Sequence, residues 1–274
     1  AMIFYILAVS LLLLFSFSML LLQLFSLLFG RRGNGCRVYG ERAIGQRQQQ
    51  AVAYAYLGRG DGTLAVLSDA SGSGISGKAA ALSSVRCFCS GFQLSREERE
   101  EELLEELFRE ANSRLCRIFY GQKGRASVGA LFASGGELRY GISGELSLYL
   151  YRGRELLLLS EGQSAAAMIR EGFRRGRISR EAAERLLRRE RSFRYLGRED
   201  YQGFAGAGEK LRLKRGDLLL LLNKEISGAL GRRELEDLIR RHRPGRRLCG
   251  ILIKKARERS GGEAGNAGVL LLRA

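Results

Sequence analysis

T-L-A-V-L-S-D-A-S-G-S-G, residues 63–74, reads as an apolar strand that delivers one carboxylate, Asp69, into a turn of small residues. The chain holds only five aspartates: Asp61, Asp69, Asp200, Asp217 and Asp237. A carboxylate at a strand end beside a Gly/Ser turn is where a metal-dependent hydrolase holds its cation, because hard divalent ions take oxygen ligands. Whether Asp69 has acidic company decides the chemistry available to this chain.

Upstream of that strand, A-V-A-Y-A-Y-L at residues 51–57 is a second strand, and Gly60-Asp61-Gly62 between them is a hairpin signal. The small-residue segment 71–84 opens a helix packed closely on the sheet. Residues 95–119 form the clearest helical pattern, with Ser95 and Glu98 at capping-box spacing and Leu103, Leu107, Ala111, Leu115 and Ile118 on one stripe. Strands follow at 126–133, 137–142, 146–152 and 155–160. A helical region covers 165–191, broken near Gly176, and strand character returns at 210–222 around a Gly216-Asp217 turn. Helices at 232–242 and 248–259 and a last strand at 269–272 complete the chain. Strands in runs, with helices inserted in blocks, indicate an α+β fold with antiparallel sheets.

The ends of the chain differ sharply in character. Residues 2–29 carry no charge, more than the roughly 20 apolar residues that cross a bilayer. The run has no basic flank ahead of it and no Ala-x-Ala-like site, which counts against a cleaved signal peptide. Arg31 and Arg32 follow directly, so the positive-inside rule places the following domain in the cytoplasm of a single-pass cell-membrane protein. The expected organisation is an anchor at 1–30, a linker at 31–36 and one domain at 37–274.

Net charge is +17, from 46 Lys/Arg against 29 Asp/Glu, and all of it falls after residue 30. Residues 170–194 hold ten arginines against four glutamates, and 232–259 hold eleven Lys/Arg against four acids. An anionic lipid surface suits such a domain. Nucleic acid is disfavoured as a partner, since no helix-turn-helix, zinc finger or aromatic RNA-binding motif accompanies the charge. Five scattered cysteines (Cys36, Cys87, Cys89, Cys116, Cys249) show no paired C-x-x-C and argue against zinc; free thiols agree with a reducing compartment. His242, the one histidine, reads as an exposed helix-end cap and not as a base or ligand.

Seven stretches in order over residues 37–273 resemble the PPM, or type 2C, metal-dependent protein phosphatases. They are I-G-Q-R at 44–47, D-G-T-L-A-V-L-S-D at 61–69, A-N-S-R-L at 111–115, G-E-L-S-L-Y-L-Y-R at 144–152, M-I-R-E-G-F with R-I-S-R-E-A-A at 168–183, Leu196-Gly197, and L-K-R-G-D-L-L-L-L-L-N-K-E at 213–225. The resemblance implies two packed antiparallel sheets flanked by helices. It also implies two Mg²⁺ or Mn²⁺ ions, held by strand-end aspartates, that generate an attacking hydroxide.

The ligand set that the resemblance implies is mostly missing. Asp69 is the sole retained ligand position, and the glycine expected after it is Ala70. Q-Q-Q-A-V at 48–52 stands where the first aspartate should be; Lys224 and Gly265 replace two more, and Gly162-Gln163-Ser164 replaces an Asp-His-Ser. Glu145 and Glu225 are the acids nearest the right segments, but Glu225 would reach the site only by reversing its direction along a strand end. Arg47 falls where the resemblance places a phosphate-contacting arginine; it reads either as a phosphate contact or as one more surface arginine.

The expectation is therefore a membrane-anchored pseudophosphatase without metal cofactor or catalytic residues, working as a binding or regulatory module for a protein partner, phosphorylated or not. One alternative is a divergent Mg/Mn-dependent serine/threonine phosphatase. Another is a scaffold in a membrane complex with a basic surface toward lipid.

Overall fold

The computed structural model describes residues 36–46, 51–71, 75–95, 102–120, 125–162, 169, 172–173, 175–187, 195–201, 203–206, 209–261 and 265–274. The expected anchor at 1–30, nearly all of the linker, and Arg47 lie outside the described residues. Among the described residues no helix is long and apolar enough to cross a membrane.

Ten strands among the described residues form two antiparallel sheets. The first contains β1 (Arg37–Ala43), β10 (Ala267–Arg273), β9 (Leu218–Asn223), β6 (Leu146–Arg152) and β7 (Glu155–Ser160), in that order. The second contains β2 (Val52–Arg59), β3 (Gly62–Ser71), β4 (Arg125–Ser134), β5 (Glu137–Ser143) and β8 (Lys210–Arg212). Six described helices flank them: α1 (Ile75–Leu94), α2 (Leu103–Ile118), α3 (Arg180–Leu187), α4 (Lys224–Ala229), α5 (Arg232–Arg241) and α6 (Arg246–Arg259).

Three apolar cores separate four layers. Phe88, Phe92, Phe108 and Leu115 fill the space between α1–α2 and the second sheet. Leu67, Leu131, Leu146, Leu219 and Leu221 fill the space between the sheets. Leu220, Leu222, Leu235, Leu252 and Ile253 pack α4–α6 onto the first sheet. This explains why β9 reads L-L-L-L-L-N instead of alternating. Its even-numbered leucines face helices, its odd-numbered leucines face the other sheet, and neither face meets water. The α+β two-sheet architecture expected from the sequence is the one observed.

Three local readings change. The expected helix at 95–119 begins at Leu103 among the described residues. Ser95 instead closes α1: its backbone N–H donates to Gly91 O and its hydroxyl to Phe92 O. The strand carrying Asp69 does not end there, because β3 stays paired with β4 through Ser71↔Arg125. Two elements had no sequence signal strong enough to read. β1, R-V-Y-G-E-R-A, mixes charge and glycine into its alternation, and α4 is six residues long.

The β8–β9 connection is pinned by a nearly buried ion pair. Arg152 Nε donates to Asp217 Oδ1 at 2.9 Å and Nη2 to Oδ2 at 2.6 Å, while Lys214 N–H donates to Oδ2 at 2.8 Å. Burial pushes the Asp217 carboxyl up, but these donors outweigh it and hold its pKa below the usual range. Asp217 is 2% exposed and Arg152 27%, so the arginine can turn partly to water when its partner is lost. Asp217→Ala should therefore lower stability at neutral pH by about 2 kcal/mol, below the range for fully buried pairs. A depressed carboxylate stabilises above its unfolded pKa, so the variant's deficit should shrink in denaturant titrations as pH falls through the folded value.

Candidate functional site

Asp69 lies within β3, paired with Val52 on β2 and Ser127 on β4. Directly opposed residues on neighbouring strands share a face, so Val52 stands beside Asp69 on the side turned to the first sheet. Val52 is 1% exposed and packs against Gly268, where an added Cβ would come 2.4 Å from its Cγ1. The described part of the stretch that the resemblance would make acidic thus contributes a packed methyl group.

The first sheet meets Asp69 through Asn223, the last residue of β9. Asn223 Nδ2 donates to Asp69 Oδ2 at 2.8 Å and to Asn266 O at 2.6 Å, and its Oδ1 accepts from Gly268 N–H at 3.1 Å. This fully buried amide joins the two sheets at Asp69. Asn266 Oδ1 accepts from Gly45 N–H at 2.9 Å, which ties the segment after β1 to the same cluster.

Lys224 follows Asn223 and opens α4. Its Nζ lies 2.9 Å from Glu145 Oε1, from the turn between β5 and β6. Lys224 is 61% exposed and Glu145 22%, so the pair forms the rim and not the floor. Glu145 N–H in turn donates to Ser127 Oγ at 3.1 Å.

Glu225 reaches further than strand geometry predicts. Because α4 starts at Lys224, Glu225 turns by a helical step, about 100° and not 180°. Its Oε1 lies 3.0 Å from Ser260 Oγ, and its Oε2 occupies the space that a side chain on Gly265 would need: a Cβ there would sit 2.6 Å away.

The Asp69 carboxyl is pushed up to about 6, chiefly by burial, with the charges of Glu145 and Glu225 adding to the rise and the Asn223 hydrogen bond opposing it. The two glutamates therefore share the electrostatic environment of Asp69. Among the described residues, no group of three or more His, Cys, Asp or Glu side chains is arranged to hold a metal ion. The acids of this cluster are bonded to an asparagine amide, an ammonium and a serine hydroxyl.

Other residues singled out from the sequence sort clearly. Ala70 is 4% exposed, donates its N–H to Ala51 O, and packs under the helices, so it belongs to the strand ladder and offers no ligand turn. Gly162 has φ +73°, and a Cβ there would fall 2.3 Å from Gly144 O and 2.6 Å from Leu146 O. No side chain fits at that position without moving backbone. His242 is the half-buried C-cap of α5, its N–H bonded to Leu238 O. Cys87 is buried on α1. The sequence reading missed Asn223 and Ser260; the abrupt change from five leucines to asparagine was the available signal for the first.

No family model matches the sequence. No curated protein matches it either. Its fold has many counterparts among solved structures. The S. agalactiae serine/threonine phosphatase superposes with a TM-score of 0.75 at 17% identity, over 87% of this chain and 99% of that one. The Mycobacterium tuberculosis serine/threonine phosphatase PstP/Ppp gives 0.70 at 19% identity, over 87% and 98%. The PPM Ser-Thr phosphatase MsPP from Mycobacterium smegmatis, solved with cacodylate, gives 0.65 at 19% identity, over 89% and 99%. Likeness at this level of identity fixes architecture, and the chain has the fold of the PPM serine/threonine phosphatases.

Proposed function

We propose that this chain is a membrane-anchored pseudophosphatase: a PPM-like domain, on the cytoplasmic side, that binds and regulates a protein partner and does not hydrolyse phosphate esters. The observation that supports it best is the direct bridging of the sheets at Asp69, with Asn223 bonded to Asp69 and Lys224 to Glu145. A side-chain amide and an ammonium stand where two-metal chemistry needs dications and free carboxylates. With no hydroxide generated, what the domain retains is a shaped surface. In this reading a phosphoprotein partner would use Arg47 as its contact.

The full chain in mild detergent, titrated with Mn²⁺ by calorimetry, is expected to give no saturable heat. It should show no Mn²⁺-dependent hydrolysis of p-nitrophenyl phosphate. A divergent phosphatase is the second reading, favoured by the influence of Glu145 and Glu225 on Asp69. Stoichiometric Mn²⁺ binding together with turnover abolished by chelator would establish it and reject the first.

A further inference from the structure

The excess positive charge is not spread evenly over the helix layers. On α2, Glu105, Glu106 and Glu110 balance Arg109, Arg114 and Arg117. On the other side of the sandwich, the stretch 232–259 of α5 and α6 carries eleven Lys/Arg, every one exposed, against four acids. Those acids are engaged within the layer itself: Glu234 with Arg259, Glu236 and Asp237 with Arg240, and Glu258 with Lys255. Arg233 and Arg240 are seven residues apart, as are Arg247 and Lys254, which sets each pair on one side of its helix. That side is opposite the buried Leu235 and Ile239 on α5 and the buried Leu248, Leu252 and Ile253 on α6. Arg243 projects from the turn between the helices. In the other arginine-rich stretch, 170–194, six of the ten arginines lie outside the described residues.

The same layer sits next to β1, the strand that follows the expected tether. β1 is the edge strand of the first sheet, and Arg246 Nε at the start of α6 bonds Glu41 Oε2 on β1 at 2.9 Å. Between the end of the apolar run at residue 30 and Cys36 lie six residue steps, at most about 21 Å of extended chain, or roughly two helix diameters. A bilayer holding that run is therefore within reach of α5–α6.

We propose that the outer face of α5–α6, centred on Arg233, Arg243, Arg247 and Lys254, docks on the anionic lipid headgroups of the membrane that anchors the chain. The inference rests on the anchor reading. It adds that the domain lies on the bilayer through one helix layer. Each cation within a Debye length, about 8 Å at physiological salt, contributes to the attraction.

The test is arginine labelling by phenylglyoxal, read by mass spectrometry, on the full chain in nanodiscs of phosphatidylcholine alone or mixed with phosphatidylserine. Labelling of Arg243 and Arg247 should slow by about tenfold in the anionic discs, and high salt should restore it. Labelling of Arg109 and Arg114 on α2 should be the same in both. The surface variant Arg243→Gln/Arg247→Gln/Lys254→Gln, with an unchanged melting temperature, should lose the slowing at Arg233 and Arg257. Equal labelling of α5–α6 in the two disc types overturns the proposal. Slowing that arises in neutral discs only when RNA is added also overturns it and assigns the face to nucleic acid. Should the chain fail to stay in discs of either kind, the anchor reading fails. Flotation with phosphatidylserine vesicles then decides the face separately: salt-sensitive binding supports it, and no binding rejects it.

Discussion

Asp69→Asn is expected to stabilise the protein at pH 7.5, by about 2–3 kcal/mol. The Asp69 pKa is raised by burial from 3.8 to about 6, and every tenfold change in proton affinity corresponds to about 1.4 kcal/mol. The sign follows from proton binding. Below the unfolded value, both states hold the proton and the site costs nothing. As pH rises from about 4 to about 6, the unfolded chain releases its proton first and the folded state is left behind. Above about 6 the folded state carries the full cost of a buried charge. An asparagine carries no charge, and its carbonyl can still accept from Asn223 Nδ2. Guanidinium denaturation of wild type and variant at pH 7.5 and pH 4 measures the difference, which should nearly vanish at the lower pH. The experiment also bears on function. If Asp69 serves a metal, the same substitution should destabilise the protein when Mn²⁺ is supplied, and that result would count against the proposed reading.

Phe108→Ala should be the more damaging change, costing about 4 kcal/mol. Phe108 is fully buried on α2, stacked on Phe204 at 4.3 Å and 22° and edge-on to Phe88 at 4.9 Å and 88°. It therefore couples three pieces of chain: α1, α2 and the segment around Phe204. That segment is held to the second sheet by bridges Ala126↔Leu196 and Ile142↔Ala205. Removing the ring opens a cavity and breaks two aromatic contacts, each adding about 0.5–1.5 kcal/mol beyond area. Against a typical domain stability of about 5–15 kcal/mol the loss is large. The denaturation midpoint should drop with little change in slope, and proteolysis should cut first near Phe204. A cost under about 1 kcal/mol would mean that the core collapses around the gap.

These two sites differ in how visible they are from the sequence. Phe108 belongs to a stripe at helical spacing, and the stripe alone assigns it to a core. Asp69 is equally visible as a residue, but its surroundings are not. Its hydrogen-bond partner Asn223 stands 154 positions away, and Lys224 meets Glu145 across 79. Glu225 shows how a small local error propagates. Taken as the end of a strand it points away from the site, and taken as the second residue of a helix it comes within electrostatic reach of Asp69.

The sequence by itself determined the strands and helices that carry strong periodicity, the α+β class with antiparallel sheets, the uneven charge and the shortage of aspartates. All of these are written in composition or in spacings of a few residues, where backbone geometry forces side chains onto one face or the other. Only the tertiary structure decided that Val52 lies beside Asp69, that Asn223 links the two sheets, that Gly162 has no room for a side chain, and that α5–α6 form a basic layer beside β1. Those facts depend on strand register and layer packing between residues far apart in the chain, and no local pattern specifies which distant group arrives at a given atom.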